Sequence, residues 1–231
     1  GLYEYDKEDN SIKLVTKNIT RSKSNEIKAK VLIEDFKEYI ILISDEWNGA
    51  WQKELLDPEN KFNELDIALT IDSSGSMVWN DPNDLRKEQT KVFVDKLEGG
   101  SRASIIDFDE WSYIVQELTT DKAKLKSAID KVDSMGGTDI SLGLKYAISS
   151  LTSSSNVLNL DEQTVDDKSN RLKCIMLLTD GESYVSKDDP SIIYAKNNGI
   201  KIFTVGLGNQ VEEDTLRMIA KETGGTYLHA K

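Results

Sequence analysis

The sequence predicts an α/β protein with a doubly wound, mostly parallel sheet of six strands, one of them antiparallel, and helices on both faces. Three observations lead to this prediction. From residue 64 onward, apolar runs alternate with amphipathic segments. Several runs are predominantly apolar, as is typical of strands buried on both faces of a parallel sheet. Residues 1–63 contain only short β-like runs, so we expect a small, mostly-β module before the sheet.

Composition limits the classes of function. The chain has 231 residues and a formal net charge of −12, and it is acidic on both sides of residue 65. This charge argues against nucleic acid or an anionic membrane as partner. The single cysteine, Cys174, lies in an apolar run, so we expect a buried structural thiol. No apolar run is long enough to span a membrane, and the start at Gly1 makes the missing signal peptide uninformative.

The first 63 residues lack a helical apolar stripe. Alternating polar and apolar residues predict three short strands, over 11–16, 27–33 and 39–44. Trp47 and Trp51 are expected to pack in a core or between domains rather than to contact a ligand. The stretch 57–60 is expected to connect this module to the domain at 64–231.

Strands and helices alternate in the second part. The predicted strands are 66–72, 102–108, 112–118, 172–179, 201–205 and 226–229, and the predicted helices are 82–97, 121–132, 139–152, 190–198 and 211–223. Only three residues separate the second and third strands, which allows a hairpin alone and makes that pair antiparallel. The long polar stretch 153–171 is expected to be a surface loop at the opposite edge from the carboxyl ends of the parallel strands.

The first helix of this part is predicted from its apolar residues. Leu85, Val92, Phe93 and Leu97 are expected to form the stripe that faces the sheet.

Polar oxygen-bearing residues follow the first strand directly. Asp72 ends the apolar run, and Ser74 and Ser76 lie in the loop just beyond it. Ligands of open α/β sheets bind at the carboxyl ends of the strands. Two further loops are expected at the same edge and supply Thr138, after a Gly-Gly pair, and Asp180, at the end of another buried strand.

This set of two carboxylates and three hydroxyls suits a hard, six-coordinate cation. Mg²⁺ prefers oxygen ligands in octahedral geometry and usually keeps several waters. Because hydroxyls are neutral ligands, the metal would stay electrophilic and could take a carboxylate from elsewhere. The inventory therefore predicts an open, metal-bridged binding site rather than a closed structural one.

The same residues resemble the metal-ion-dependent adhesion site of von Willebrand factor type A domains, of the kind found in integrin inserted domains and bacterial surface proteins. The resemblance covers residues 64–231 and rests on Asp-x-Ser-x-Ser at 72–76, Gly-Gly-Thr-Asp at 136–139 and Leu-Leu-Thr-Asp-Gly at 177–181. It implies a divalent metal (Mg²⁺ first, Mn²⁺ or Ca²⁺ as alternatives) held by Asp72, Ser74, Ser76, Thr138 and Asp180, with an acidic residue of a protein partner at the open position. Family members usually continue into a last helix that shifts between affinity states. No helix follows the final strand here, so that shift is not carried over.

Five residues are candidates for a ligand-contact rim around this site: Trp79, Asp81, Asp139, Glu182 and Tyr184. Asp139 is also expected to cap the helix that follows it, with a hydrogen bond to the metal site as the alternative. Two roles are open for Trp79, which could contact a ligand or pack locally against the protein.

The resemblance implies a binding module rather than an enzyme: cation-dependent adhesion to an acidic residue of an extracellular-matrix, host or neighbouring surface protein, without membrane insertion. We expect an extracellular or cell-surface location, in a bacterium. One alternative is an intracellular von Willebrand A subunit that docks onto an AAA-type or metal-insertion assembly. Another is a hydrolase that uses the metal and Asp72 for phosphoryl chemistry, although the sequence places no evident general base or phosphate-holding lysine near the site.

Overall fold

The structure of the protein is a computed structural model. It describes residues 64–152, 156–165, 171–208 and 211–230, together with the main chain of 2–6, 11–16, 19–21, 27–29 and 38–41. The predictions for Trp47, Trp51 and the connection at 57–60 lie outside the described residues.

The described residues form eleven strands. In chain order they are β1 (Leu2–Asp6), β2 (Ser11–Thr16), β3 (Ile19–Arg21), β4 (Ile27–Ala29), β5 (Glu38–Ile41), β6 (Glu64–Asp72), β7 (Arg102–Phe108), β8 (Ser112–Thr119), β9 (Arg171–Thr179), β10 (Lys201–Leu207) and β11 (Tyr227–Ala230).

The six predicted strands form one continuous stretch of sheet, in the order β11-β10-β9-β6-β7-β8. All neighbours in this stretch run parallel except β8, which pairs antiparallel with β7. The predicted fold class is therefore confirmed. Because β6 and β9 are adjacent and parallel, their carboxyl ends, at Asp72 and Thr179, lie side by side at one edge of the sheet.

The sheet continues beyond β11 with strands from the start of the chain. β2 pairs parallel with β11, and β1 and β5 follow in antiparallel order, while β3 and β4 form a separate hairpin. The strand predicted over 11–16 is confirmed, and β4 and β5 overlap the runs predicted at 27–33 and 39–44. The division into a flanking module and a second domain at residue 63 stays a prediction.

Helices cover both faces of the six-stranded stretch. They are α1 (Met77–Asn80), α2 (Leu85–Lys96), α3 (Lys122–Ile129), α4 (Ile140–Leu151), α5 (Pro190–Asn197) and α6 (Glu213–Thr223). A short 3₁₀ turn, Leu160–Glu162, lies between α4 and β9. No helix among the described residues is long and apolar enough to cross a membrane.

Alternation along the central strands divides the core in two. Leu65, Ile67, Leu69 and Ile71 of β6 pack on one side, with buried residues of α2 and α3. Ala68, on the other side, belongs to a second cluster formed with α4, α5 and α6. Side chains alternate in this way because successive residues of a strand point to opposite faces.

The apolar stripe predicted for α2 is wrong in part. Leu85 and Val92 are exposed, whereas Phe93 belongs to the core and Arg86 is among the largest fully buried side chains. The buried face follows a 3–4 residue spacing from Phe93 back to Arg86, so a charged residue occupies the first inward position. Hydrogen bonds to the main-chain carbonyls of Asp72 and Asp133 hold Arg86 in this position.

Candidate metal centre

The first loop starts where β6 ends. The main-chain nitrogen of Ser73 donates to the carbonyl of Phe108 (2.8 Å), and that of Ser74 donates to Asp72 Oδ1 (2.8 Å). The second bond is the local turn that aspartate favours. The hydroxyl oxygens of Ser74 and Ser76 lie 3.0 Å apart. Asp72 and Ser74 are buried and Ser76 is half-buried, so this oxygen cluster opens outward at Ser76.

Main-chain hydrogen bonds join the second loop to the first. Met135 N donates to the carbonyl of Ser73 (2.7 Å), and Gly75 N donates to that of Gly136 (3.1 Å). Gly136 has φ of +83°, and a Cβ atom on Gly75 would lie only 3.3 Å from the Gly136 oxygen. Glycine therefore permits the close approach of the two loops. Thr138, half-buried, follows two residues after this contact.

The third loop brings the second carboxylate. Asp180 directly follows β9 and is fully buried. Asn80 Nδ2 donates to its Oδ2 (3.0 Å), and the main-chain nitrogen of Glu182 donates to its Oδ1 (3.1 Å). The Thr179 hydroxyl donates to Asp72 Oδ2. These bonds leave each carboxylate with hydrogen-bond partners but no neutralising charge.

The electrostatics of the two carboxylates are unfavourable as they stand. Burial, with a smaller contribution from the charge of Asp180, raises the pKa of Asp72 to about 6 against the opposing effect of the Ser74 and Thr179 hydrogen bonds. Within the described part of the chain, no basic side chain forms an ion pair with either carboxylate. A bound cation would favour the ionised form of both.

The donor set fits a hard divalent cation. Two adjacent ligands of an octahedral ion with bonds of about 2.1 Å lie about 3.0 Å apart, which matches the separation of the Ser74 and Ser76 hydroxyl oxygens. The described residues contain no group of three or more His, Cys, Asp or Glu side chains placed to hold a metal. A cation at this edge would therefore depend on the hydroxyls of Ser74, Ser76 and Thr138 as well as on the two carboxylates.

Arg86 holds the first two loops together. It is fully buried, and its Nε donates to the main-chain carbonyl of Asp72 (3.0 Å). Nη2 donates to the Asp133 carbonyl (2.8 Å) and to Ser134 Oγ (2.7 Å), while Nη1 donates to Asp81 Oδ2 (2.9 Å). Arg86 is not among the residues that the sequence predicts for this site, although its spacing from Phe93 places it on the inward face of α2.

Two of the five rim candidates make structural hydrogen bonds to the main chain. Asp81 is buried, and its oxygens accept from the main-chain nitrogens of Leu85 (2.7 Å) and Arg86 (2.9 Å) as well as from the guanidinium. It therefore binds the first two main-chain nitrogens of α2 and does not lie on an accessible rim. Asp139 accepts from the main-chain nitrogen of Leu142 (2.9 Å), so the predicted cap of α4 is confirmed.

The other three rim candidates face solvent. Trp79 and Tyr184 are strongly exposed, and Glu182 is exposed beside Asp180. Limited burial and the charges of Asp180 and Glu212 raise the pKa of Glu182, which indicates a locally negative potential.

Cys174 and His229, which could in principle serve as a nucleophile and a base, lie outside this edge of the sheet. Cys174 is buried, and burial raises the pKa of its thiol to about 12, as expected for a structural thiol. His229 is also buried, and its Nε2 lies 2.7 Å from the Gly208 carbonyl oxygen, which engages that ring nitrogen with the main chain.

Comparison with known proteins points to one family. The sequence profile of the von Willebrand factor type A domain matches residues 66–231. An uncharacterised protein of Synechocystis is 29% identical over 170 residues, which is 71% of this chain and 37% of that protein. Human inter-alpha-trypsin inhibitor heavy chain H2 is 30% identical over 180 residues, or 74% of this chain. The match spans only 18% of that relative.

Solved structures agree on the fold. A von Willebrand factor type A structure from Catenulispora acidiphila has a TM-score of 0.58 at 26% identity, over 73% of this chain and 39% of that one. Proximal thread matrix protein 1 of the mussel byssus, with zinc in its metal-ion-dependent adhesion site, has a TM-score of 0.57 at 24% identity, over 74% and 43% of the two chains.

Proposed function

Because the chain belongs to the von Willebrand factor type A family, whose domains commonly mediate metal-dependent protein interactions and are generally not enzymes, we propose that it is a cation-dependent adhesion module. The proposed cation is divalent, with Mg²⁺ the first choice. Its proposed ligands are the five residues that the sequence predicts: Asp72, Ser74, Ser76, Thr138 and Asp180.

One observation carries this proposal: two fully buried carboxylates meet at the sheet edge without a cationic partner among the described residues. Buried charges in proteins are normally paired or bound to metal. Ser74 and Ser76 lie in the loop that follows Asp72, and Thr138 lies in a second loop that main-chain bonds join to the first. A cation would complete this arrangement.

The protein side chains would position the cation and leave it reactive. Ser74, Ser76 and Thr138 contribute no formal charge, so two carboxylates at most would oppose a charge of +2. The remaining positive potential would favour a further carboxylate, supplied by an Asp or Glu of a protein partner. Asn80 and Thr179 would orient the two carboxylates by hydrogen bonds.

The relatives support an extracellular or cell-surface role as part of the proposal. The mussel relative is a thread matrix protein with zinc in the corresponding type of site. A bacterial structure of the same fold, from Bacteroides fragilis, is that of an aerotolerance-related membrane protein. A bacterial surface protein that binds matrix, host or neighbouring surface proteins is the role we propose.

The test is cation-dependent capture of carboxylate peptides. The chain, immobilised, is panned with a library of short random peptides displayed on phage, once in Mg²⁺ and once in EDTA. Peptides that contain Asp or Glu should be enriched in Mg²⁺ alone, and Asp→Asn or Glu→Gln versions of the enriched peptides should lose binding. Equal enrichment in EDTA would contradict the proposal.

A matched pair of variants links capture to the site. Asp180→Ala should abolish capture while circular dichroism shows an intact fold. Asp188→Ala removes an exposed carboxylate from the same segment of chain and should capture as the wild type does.

A further inference from the structure

We infer that the partner segment carries its single carboxylate among basic and apolar side chains. This inference rests on the proposed function and adds the chemistry of the partner. It follows from a surface formed by four loops, defined as residues 72–81, 109–111, 133–139 and 180–186, and called here the four-loop face.

Hydrogen bonds join the four loops into one surface. Residues 133–139 are bonded to 72–81 through Met135 and Gly136. The turn between β7 and β8 joins them through Gly137 N, which donates to Glu110 Oε2 (2.5 Å), and through Asp139 N, which donates to the Asp109 carbonyl (2.7 Å). The bond from Asn80 to Asp180 completes the set.

Each loop exposes a large aromatic side chain or a methionine. The exposed fractions are 82% for Trp79, 62% for Trp111, 66% for Met135 and 93% for Tyr184. Single exposed apolar residues are ordinary on protein surfaces. Four such side chains, one on each of four hydrogen-bonded loops, are called here the apolar ring, and aromatic residues and Met are the types enriched in protein–protein interfaces.

The charge of the same loops has one sign. Residues 72–81, 109–111, 133–139 and 180–186 contain eight acidic residues and no lysine or arginine. A divalent cation would offset only part of this charge. The face would therefore hold one carboxylate at the cation and repel others, while Glu110 and Glu182, both exposed, would attract lysine or arginine beside it.

This combination selects a protein segment rather than other occupants. A second copy of the same face would bring acidic loops against acidic loops. Nucleic acid and anionic lipid would meet the same repulsion. A segment with one Asp or Glu, flanked by Lys or Arg and by aromatic or aliphatic residues, complements the cation, the acidic rim and the apolar ring together.

The composition of the captured peptides tests this inference separately from the proposed function. Among peptides enriched in Mg²⁺, Lys or Arg and aromatic or aliphatic residues should be over-represented around a single Asp or Glu. Replacement of the flanking Lys or Arg by Glu should weaken binding about tenfold or more. Mg²⁺-dependent peptides without this flanking preference, or with runs of acidic residues, would overturn the inference and leave the proposed function standing.

Variants of the apolar ring supply a second measurement. Trp79→Ser and Tyr184→Ser should each weaken binding of the best flanked peptide about tenfold, while Mn²⁺ affinity, measured by calorimetry, stays unchanged. Leu158→Ser, at an exposed apolar residue between α4 and β9, should bind as the wild type does. If all three variants bind the peptide as tightly as the wild type does, the inference is wrong. If the wild type captures no peptide in a Mg²⁺-dependent way, both proposals are wrong.

Discussion

Strand β6 carries a buried carboxylate near each end, and the two differ in their ion pairs and in the direction of their pKa shifts. At the amino end, Asp66 accepts two hydrogen bonds from Arg102 (2.8 and 2.7 Å) and one from Arg171 (2.7 Å), with Lys173 at 3.9 Å. Burial alone would raise the pKa of Asp66, but the two arginines outweigh it and lower the pKa. At the carboxyl end, Asp72 is buried as deeply, and its pKa is raised to about 6.

The two ends of β6 therefore differ in whether the protein itself neutralises the buried carboxylate. The fold supplies its own cations to Asp66, which closes that end of the sheet. At Asp72 the buried cation, Arg86, bonds to the main-chain carbonyl and to Asp81 instead. The carboxylates at this end are thereby left for a cation from solution, which is the account that we propose.

The largest expected effect concerns Arg86. Arg86→Leu should lower the free energy of unfolding by about 4 kcal/mol, because it leaves the buried Asp81 carboxylate without its cationic partner and removes a donor from each of two carbonyls. Chemical denaturation measures this loss. Arg86→Lys keeps the charge but not the fork of donors, and it should recover only part of the stability. Full recovery would mean that charge alone, not loop positioning, is what Arg86 provides.

Asp66→Asn should cost somewhat less, about 3 kcal/mol, because two arginines lose their carboxylate. Since the folded pKa of Asp66 lies below the ordinary aspartate value of 3.8, this stabilisation is present above that value and is lost as pH falls through the folded pKa. Urea titrations of both proteins between neutral and acid pH measure the difference. A constant difference down to low pH would contradict the ion-pair assignment.

Asp72 should give the opposite sign in the metal-free protein. A carboxyl group with a raised folded pKa keeps its proton in the native state while the unfolded state has lost it, so stability falls as pH rises from about 4 to about 6. The expected fall is about 2–3 kcal/mol for a shift of about two units. Urea titrations in EDTA measure it, with Asp72→Asn as the control that should remove the fall.

The sequence predicts the strands and helix starts that depend mainly on neighbouring residues. The strand ending at Asp72 and the one ending before Asp180 were found because a fully apolar run followed by a carboxylate is visible in the sequence alone. The position of α4 agrees with Asp139, which caps this helix as predicted, and Asp121 caps α3 at the predicted start of that helix. Backbone periodicity and capping depend on near neighbours, so no tertiary knowledge was needed.

Other features depend on distant residues and could not be predicted in the same way. The pairing of β2 with β11 joins residues 11–13 to 227–229, and nothing in either strand specifies its partner. Arg86 was missed because a buried guanidinium is stable only through its bonds to Asp72, Asp81, Asp133 and Ser134. The same partners explain why Asp81, expected on the rim, is buried.

The most direct test of the central account is titration of the whole chain with MnCl₂ by isothermal calorimetry at neutral pH. The account predicts one site in the wild type, no binding in Asp72→Asn, and unchanged binding in Asp66→Asn once circular dichroism shows that this variant is folded. Asp72→Asn should also gain about 1–2 kcal/mol of metal-free stability, because it removes an unpaired buried charge. Mn²⁺ binding that survives in Asp72→Asn, or none in the wild type, would contradict the account.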